Sequence, residues 1–230
     1  MLKDNLDNVT SNIKTACDKV GRNVNEVTLI AVSKTKPLSD IEELMTYGVI
    51  EYGENKVQEL CEKFENISKP VNWHLIGHLQ TNKVKYIIDK VCLIHSVDSV
   101  HLASEIEKQA EKKGVVANIL IQVNVAHEDT KFGIDENNIY EIINEIKEFK
   151  HVKVKGLMTL APFVQNPEDN RVYFRKMHQL LLDIKSKNID NIDMSILSMG
   201  MTNDYMVAIE EGATMVRVGT GIFGERNYNI

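Results

Sequence analysis

Short apolar segments alternate with longer amphipathic segments along almost the whole chain. The apolar segments are typical of buried strands and lie near residues 28–33, 49–53, 72–76, 92–97, 118–125, 153–158, 194–198 and 214–218. Segments with helical spacing lie between them, near 38–47, 54–66, 80–89, 99–113, 136–149, 168–187 and 203–211, and a further one spans 2–21. Eight strands separated by seven helices, with one helix in front, predict an α/β fold: a (β/α)8 TIM barrel with an extra N-terminal helix.

An open, doubly wound sheet would show the same alternation. It would place a GxGxxG motif after the first strand, and no such motif follows residue 33. The chain has no linker, repeat or low-complexity tract, and its 230 residues suit one barrel with short loops, since such barrels take about 250 residues. We therefore predict a single domain over residues 1–230.

Charge and cysteine content argue against several classes of function. A net charge of −6 without a basic block argues against a nucleic-acid partner. Cys17, Cys61 and Cys92 form no CxxC pair, which argues against disulfides or a thiolate zinc site and favours a reducing compartment. Cys61 and Cys92 lie in apolar segments, so we expect both to be buried. No signal region or long apolar run is present, which predicts a cytoplasmic protein with no membrane partner.

A lysine follows the first predicted strand directly. Leu29 to Val32 are four consecutive apolar residues, and Ser33 and Lys34 come where the strand should leave the core. In a barrel the carboxyl ends of all strands face one common opening, which we call the mouth. An amine held there suits a Schiff-base nucleophile.

The segments after the last two strands have the composition of a phosphate site. Barrels commonly bind phosphate at these two positions. Ser198-Met199-Gly200-Met201-Thr202 and Gly219-Thr220-Gly221 offer hydroxyl donors and glycines that let the backbone approach a ligand closely. Arg217, just inside the last strand, would take either an internal acidic partner or the ring nitrogen of a pyridoxal cofactor. Lys34, Arg217 and these loops together resemble a pyridoxal 5′-phosphate site.

Motifs along the whole chain carry a resemblance to a known family. The chain resembles the pyridoxal phosphate homeostasis protein family, whose barrel is similar to the N-terminal domain of alanine racemase (pyridoxal phosphate fold type III). The segments that carry the resemblance are Ala31-Val32-Ser33-Lys34-Thr35-Lys36, Gly53-Glu54-Asn55, residues 74–83 (HLIGHLQTNK), Gln122-Val123-Asn124 with Glu128, Lys131 and Gly133, Gly156-Leu157-Met158, Ser198-Met199-Gly200-Met201, and residues 217–224 (RVGTGIFG). Thr202 departs from the pattern, since serine is more usual there, but it keeps a hydroxyl.

The resemblance implies a role for each matching residue. Lys34 would form the internal aldimine with the cofactor. Ser198, Gly219 and Thr220 would hold the phosphate, together with backbone N–H groups near Gly200 and Met201. Arg217 would lie near the pyridine nitrogen, and the ring and its 3′-oxygen side would be lined by Asn55, His78 and Met158.

A metal is not expected at the histidines. His74, His78 and His95 show no matching acid or ligand spacing, so we interpret them as core or ring-contacting residues. Lys36, Lys83 and Lys131 near the mouth are interpreted as surface residues, with binding of a second phosphate or of the cofactor as the alternative.

The expected role is that of a cofactor carrier or regulator in vitamin B6 homeostasis with little or no turnover. An arginine opposite the ring nitrogen disfavours the protonation on which pyridoxal catalysis depends. Alanine racemase also uses a tyrosine from a separate β-domain of its partner subunit, and this chain ends at Ile230, soon after the last predicted strand. Tyr52, Tyr205 and Tyr228 are expected to pack rather than to replace it.

The partners expected are pyridoxal phosphate and apo forms of pyridoxal-phosphate enzymes, and the chain is expected to be a monomer with no catalytic residue. Two alternatives stay open. One is a pyridoxal-phosphate-dependent amino-acid racemase. The other is a phosphate-binding barrel enzyme that uses Lys34 as a Schiff-base lysine for a sugar aldehyde.

Overall fold

Eight parallel strands close into a barrel in the computed structural model, which describes residues 1–128 and 132–225. Each strand is hydrogen-bonded to the next along the chain, and β1 closes the barrel against β8. The strands are β1 (Thr28–Val32), β2 (Glu51–Glu54), β3 (Asn72–Leu75), β4 (Leu93–Val97), β5 (Ala117–Gln122), β6 (Val152–Met158), β7 (Ile192–Met201) and β8 (Met215–Val218). The predicted (β/α)8 barrel is confirmed, and each strand overlaps its predicted segment.

Helices surround the barrel and precede it. They are α1 (Leu2–Lys19), α2 (Leu38–Thr46), α3 (Val57–Asn66), α4 (Val84–Ile87), α5 (Val100–Lys113), α6 (Ile139–Ile146), α7 (Arg171–Ser186), α8 (Tyr205–Glu210) and α9 (Thr220–Phe223). In α6, Ile139, Ile142, Ile143 and Ile146 recur at spacings of three and four and are all buried, which fixes the face that packs on the barrel. None of the described helices combines the length and the apolar character that a membrane span needs.

Two helical segments differ from the sequence-based prediction. The segment near 80–89 forms a 3₁₀ turn (Thr81–Lys83) followed by the short α4. The segment at 220–223 forms α9, where the sequence predicted no helix. α9 is a single turn, which is too short to show helical periodicity.

The core has two layers, because the side chains of a strand alternate between its two faces. The outer face of each strand packs against the helices in one large apolar cluster that includes Trp73, Leu75 and Ile94. The barrel interior holds a small apolar cluster of Leu93, Leu120 and Met158. The interior also holds buried polar side chains, which lead toward the mouth and are described below.

The cysteines lie in three different environments. Cys17 is buried in α1 and Cys61 is half-buried, whereas Cys92 is exposed. The expectation of burial is therefore wrong for Cys92, and Cys61 meets it only in part. Cys92 precedes β4 at the end of the barrel opposite the mouth, where the residue meets solvent while its Sγ approaches the backbone oxygen of Trp73 at 3.2 Å.

Candidate functional site

Lys34 lies at the mouth, on the turn that leaves β1. β1 ends at Val32, Ser33 is buried, and Lys34 is half-buried in the wall of a pocket. Thr35 follows with a φ of 61°, a left-handed conformation that non-glycine residues adopt only when their surroundings impose it. Its N–H donates to Glu59 Oε1 at 2.6 Å. The backbone that carries the lysine is therefore held in a defined turn.

A buried ion pair supports this turn from below. Lys63 Nζ donates to the backbone oxygen of Ser33 at 2.7 Å, to Glu54 Oε1 at 2.8 Å and to Glu59 Oε1 at 2.7 Å. Burial raises the pKa of Glu54, although the Lys63 ammonium favours its ionised form. Lys63 thus anchors the residue immediately before Lys34. The sequence did not indicate this role, since a lysine four residues after Glu59 on a helix is typical of a solvated surface pair.

Arg217 lies under the pocket as a buried cation. Its Nη1 donates to Ser198 Oγ at 2.5 Å and its Nη2 donates to the backbone oxygen of Thr159 at 2.8 Å. Burial lowers the pKa of Arg217 to about 10, which leaves the side chain charged at neutral pH. No carboxylate of residues 1–128 or 132–225 forms an ion pair with it. Of the two alternatives for Arg217, the internal acidic partner is not met by an ion pair within the described residues, although the charge of the buried Asp204 favours the charged guanidinium.

A chain of hydrogen bonds continues from Arg217 through the barrel interior. Ser198 Oγ lies 2.9 Å from His95 Nδ1, His95 Nε2 lies 2.9 Å from His74 Nδ1, and His74 Nε2 lies 2.7 Å from Glu51 Oε2. We call Arg217, Ser198, His95, His74 and Glu51 the polar chain. It runs from the mouth to the opposite end of the barrel, because Glu51 is the first residue of β2.

One assignment of protons satisfies every bond of the polar chain. Burial, the neighbouring His74 and the Arg217 charge hold the pKa of His95 well below its usual value, so its ring is neutral and has one donor and one acceptor nitrogen. If Ser198 donates to His95, then His95 donates to His74, and His74 donates to the Glu51 carboxylate. The chain then begins at a cation and ends at an anion with no bond left unpaired.

The mouth pocket has a volume of about 710 Å³, which lies in the range of small-molecule sites. Seven of the predicted site residues line it: Lys34, Asn55, His78, Met201, Arg217, Gly219 and Thr220. Its described lining includes two cationic side chains, Lys34 and Arg217, and no carboxylate. A pocket with this composition favours an anionic ligand.

The other three predicted site residues lie below or beside the pocket. Met158 is buried in the apolar cluster of the barrel interior, and Ser198 is buried as the hydrogen-bond partner of Arg217. Gly200 has a φ of 88°, and a Cβ there would lie 2.6 Å from the Cβ of Ala208 and 2.9 Å from the Cα of Tyr205. The glycine is needed so that β7 can pack closely on α8. Whether these residues contact a ligand stays a prediction.

Several pocket residues were not among the predicted site residues. Thr202 links the two predicted phosphate loops, because its Oγ1 accepts the N–H groups of Gly219 and Gly221, both at 3.3 Å. Thr202 ends the first of the two predicted phosphate loops, and its hydroxyl beside the glycines was the sequence signal for a role at this position. The further lining residues come from the ends of β1, β3, β5, β6 and β7 and the loops after them: Val32, Ile76, Gly77, Gln122, Phe132, Leu160, Ala161, Phe163 and Asn203. Side chains such as Phe132 and Phe163 follow irregular segments with no periodicity, so sequence alone did not place them.

Two polar groups of the pocket wall suit a ring with polar substituents. The Oδ1 atom of Asn55 is buried and has no hydrogen-bond partner among the described residues, so a bound molecule could satisfy that amide. The ring of His78 stacks on Phe132 with centroids 3.7 Å apart, and its Nδ1 lies 3.4 Å from Asp98 Oδ2. With the cations nearby, these groups fit a phosphorylated aromatic aldehyde.

The tyrosines and lysines considered above that fall within the described residues lie away from the pocket wall. Tyr52 is fully buried and its hydroxyl donates to the backbone oxygen of Ile41, while the Tyr205 hydroxyl accepts from Asn12. Lys36 Nζ donates to the backbone oxygen of Phe223 at 3.0 Å, which ties it to the end of α9. Lys83 lies near the ring of Tyr86. Lys131 and Tyr228 lie outside the described residues.

The fold and the cationic pocket define a class of protein, namely barrels that bind a phosphorylated ligand at the mouth. Comparison with known proteins identifies the family. The sequence model of the family named alanine racemase, N-terminal domain, matches residues 5–227. Pyridoxal phosphate homeostasis proteins of Aquifex aeolicus and Escherichia coli are 47% and 34% identical to the chain, each covering 98% of it, and the chain covers 98% and 97% of their lengths.

Solved structures agree with this family assignment. PipY of Synechococcus elongatus, solved with PLP bound, is 30% identical with a TM-score of 0.82, and the match covers 93% of this chain and 100% of PipY. An alanine racemase of Clostridium difficile shares the fold at a TM-score of 0.75 with 15% identity, over 99% of this chain and 60% of the racemase. This chain therefore belongs to the pyridoxal phosphate homeostasis proteins, within the alanine racemase N-terminal domain family. The resemblance noted in the sequence is confirmed.

Proposed function

We propose that this chain binds pyridoxal 5′-phosphate in the mouth pocket and acts as a carrier or regulator of that cofactor in vitamin B6 homeostasis. The observation that carries the proposal is the pairing of Lys34 with the buried Arg217 in a pocket whose described lining has no carboxylate. Family membership supports it, since relatives carry the name pyridoxal phosphate homeostasis protein and PipY was solved with PLP bound.

Pyridoxal phosphate supplies an aldehyde that condenses with primary amines and a ring that accepts electrons when its nitrogen is protonated. Lys34 offers the amine. Gly219, Thr220 and Thr202 would hold the phosphate, with Met201 and the backbone near Gly200 beside them. Asn55 and His78 would orient the ring, and Arg217, fixed by Ser198 and Thr159, would lie on the side of the ring nitrogen. Met158 would support the floor of the pocket from below.

Arg217 also supports the proposal of little or no turnover. Because it keeps its charge at neutral pH and is held by two hydrogen bonds, it would oppose a second positive charge on the ring nitrogen. No tyrosine is among the described lining residues of the pocket. On this basis no residue is assigned a catalytic role. A carrier that acts in the cytoplasm as a monomer and hands the cofactor to apo-enzymes is consistent with a pocket that is open at the mouth.

Chemical labelling tests whether Lys34 is the lysine that binds the cofactor. The purified chain is mixed with pyridoxal phosphate, reduced with borohydride, digested and mapped by mass spectrometry. We expect the label on Lys34, loss of the near-visible absorbance band in Lys34→Ala, and retention of both in Lys83→Ala, a lysine near the mouth that does not line the pocket. Label on another lysine would contradict the assignment of Lys34. The absence of any band would favour a barrel enzyme that uses Lys34 on a sugar aldehyde.

One observation favours testing the alternative that the chain is a racemase. His78 is the only titratable side chain besides Lys34 and Arg217 in the described pocket lining, so it is the base that a racemase would need. Incubation of the loaded protein with single amino-acid enantiomers in deuterated water distinguishes the two functions. We expect no deuterium at Cα. Incorporation that is lost in His78→Gln would identify an enzyme instead.

A further inference from the structure

Three potential metal ligands of different chemical types meet at the end of the barrel opposite the mouth pocket. Glu51 begins β2, His74 lies in β3, and Cys92 immediately precedes β4. One carboxylate oxygen, one ring nitrogen and the thiol sulfur all lie within 4.8 Å of one another. The neighbouring strands bring these residues together although 18 or more positions separate each pair that is in contact.

We propose that Glu51, His74 and Cys92 form a binding site for a divalent transition-metal cation of the zinc class. Carboxylate oxygen, imidazole nitrogen and thiolate sulfur are the three kinds of ligand that zinc takes in proteins. Three protein ligands leave a fourth tetrahedral position for water. The site is separate from the mouth pocket and does not depend on the proposed cofactor.

The distances are close to those of a tetrahedral site. Ligand atoms about 2.0–2.3 Å from one ion lie roughly 3.3–3.7 Å apart at tetrahedral angles. Cys92 Sγ lies 3.5 Å from His74 Nε2. Glu51 Oε2 lies 2.7 Å from the same nitrogen, in a hydrogen bond. A metal ion would replace that bond, and the half-exposed carboxylate would have to move outward by roughly 1 Å or less.

Both of the more buried ligands are oriented by neighbours of the kind that metal sites use. A metal-bound histidine usually donates its other ring N–H to a fixed partner, and here His74 Nδ1 lies 2.9 Å from His95 Nε2. Metal binding at Nε2 would place the proton of His74 on Nδ1, so that His74 donates to His95 and His95 donates to Ser198, the reverse of the direction in the metal-free polar chain. The second carboxylate oxygen of Glu51 accepts from Asn72 Nδ2 at 2.7 Å. These contacts hold the ring and the carboxylate in place before any ion arrives.

An ion can reach the site from solvent. Cys92 is exposed as a residue, with its sulfur partly buried against the backbone oxygen of Trp73, and the Glu51 side chain is 24% exposed, while His74 is buried at 2% and forms the inner wall. An ion bound there would join β2 and β3 to the segment that leads into β4. Since the site forms only in the folded chain, binding would also stabilise the fold.

The test uses cobalt, which takes the ligands of zinc and absorbs light. The untagged full-length chain is freed of metal with EDTA, kept reduced, and titrated with Co²⁺. We expect a thiolate-to-cobalt charge-transfer band in the near ultraviolet that saturates at one equivalent and is abolished by excess Zn²⁺. We also expect Zn²⁺ to raise the thermal unfolding midpoint by several degrees.

Matched variants separate this site from adventitious binding. Cys92→Ser should remove the charge-transfer band, and Cys61→Ser, which changes the other partly accessible thiol, should retain it. Glu51→Gln should keep the band and weaken the affinity for Co²⁺ by about tenfold or more. Circular dichroism checks that each variant folds. A chain that shows no such band at millimolar Co²⁺, or a band that survives Cys92→Ser, would overturn the proposal.

Discussion

Ser198 shows how one residue can connect two parts of the molecule. It is fully buried, accepts a hydrogen bond from Arg217 and lies within hydrogen-bond distance of His95. The family resemblance implies that Ser198 holds phosphate, while the structure places it directly under the arginine of the pocket. Its contribution to stability can therefore be tested apart from any ligand.

We expect Ser198→Ala to lower the free energy of unfolding by about 2–3 kcal/mol, because it leaves a buried, charged N–H of Arg217 without its acceptor. Urea denaturation of the ligand-free protein measures the change. Ser195→Ala, at an exposed position of the same strand, serves as the control and should alter stability by less than about 0.5 kcal/mol. Equal effects of the two variants would refute this account of Ser198.

Arg217 differs from Ser198, because burial disfavours the charged form of its side chain. Burial lowers its pKa to about 10, so the folded state gains little from the charge itself. We expect Arg217→Met to lower the free energy of unfolding by about 1–3 kcal/mol, because the buried oxygens of Ser198 and Thr159 lose their donor although the apolar side chain fills the space. We expect the same variant to weaken pyridoxal phosphate binding at least about tenfold, the equivalent of about 1.4 kcal/mol. Arg175→Met, on the exposed side of α7, should leave the affinity unchanged. Titration calorimetry beside urea denaturation distinguishes the two effects.

At the scale of elements, the β1–α2 and β2–α3 connections act as one unit. Lys63 on α3 donates to Ser33 after β1 and to Glu54 at the end of β2, and Ser33 Oγ donates to the same Glu54 oxygen at 2.6 Å. These hydrogen bonds connect two loops under Lys34 through one oxygen of Glu54, while its other oxygen, Oε2, has no partner among the described residues. Removal of one charge would leave the other buried and unpaired.

We expect Lys63→Met to destabilise the fold by about 3–5 kcal/mol, because Glu54 would then be a buried carboxylate without its cation. Lys14→Met, at an exposed position of α1, is the matched control and should have an effect near zero. The midpoint of denaturant unfolding reports both. A loss below about 1 kcal/mol for Lys63→Met would mean that Glu54 is satisfied in another way.

The elements themselves were largely predictable from the sequence, since buried strands and amphipathic helices have different periods. Lys34 could be placed at the mouth because it directly follows an apolar run, and Arg217, Gly219 and Thr220 follow from the same rule. Lys63 and Cys92 could not be placed. Their positions depend on which loops meet in space: Lys63 has the sequence environment of a surface lysine, and Cys92 has that of a core cysteine. His74 and His95 are 21 residues apart and meet only through strand pairing.

Charged residues fasten the outer helices to one another on the scale of the whole molecule. Arg171 on α7 binds Glu210 at 2.7 Å and Glu211 at 2.9 Å, at the end of α8. Arg175 binds Glu211 at 2.9 Å, and Lys19 at the end of α1 binds Glu210 at 2.8 Å. The first helix is thereby connected to α8, which lies 191 residues later in the chain at this contact.

Acid should weaken this network and the fold with it. Burial alone would raise the pKa of Glu211, but hydrogen bonds from Arg175 and Arg171 outweigh it and hold the pKa below its ordinary value of 4.5. The pKa values of Glu107, which accepts from His151, and of Glu51 are lowered in the same way. Below pH 4.5 the unfolded chain therefore binds more protons than the folded chain at these sites, so stability falls as pH falls. Glu54, with its raised pKa, works in the opposite direction.

We expect the free energy of unfolding to decrease as pH falls below about 6.5, because His95 of the unfolded chain takes up a proton while the buried ring of the folded chain stays neutral. We expect a steeper decrease below about 4.5, where the carboxylates add to it, as measured by urea denaturation at a series of pH values. Glu211→Gln should be less stable than the parent at pH 7, and the difference should shrink toward pH 3, because the parent loses the same charge there. The exposed Glu42→Gln should follow the parent at every pH. If the Glu211→Gln difference stayed constant with pH, the contribution of Glu211 would come from packing of its side chain and not from its charge.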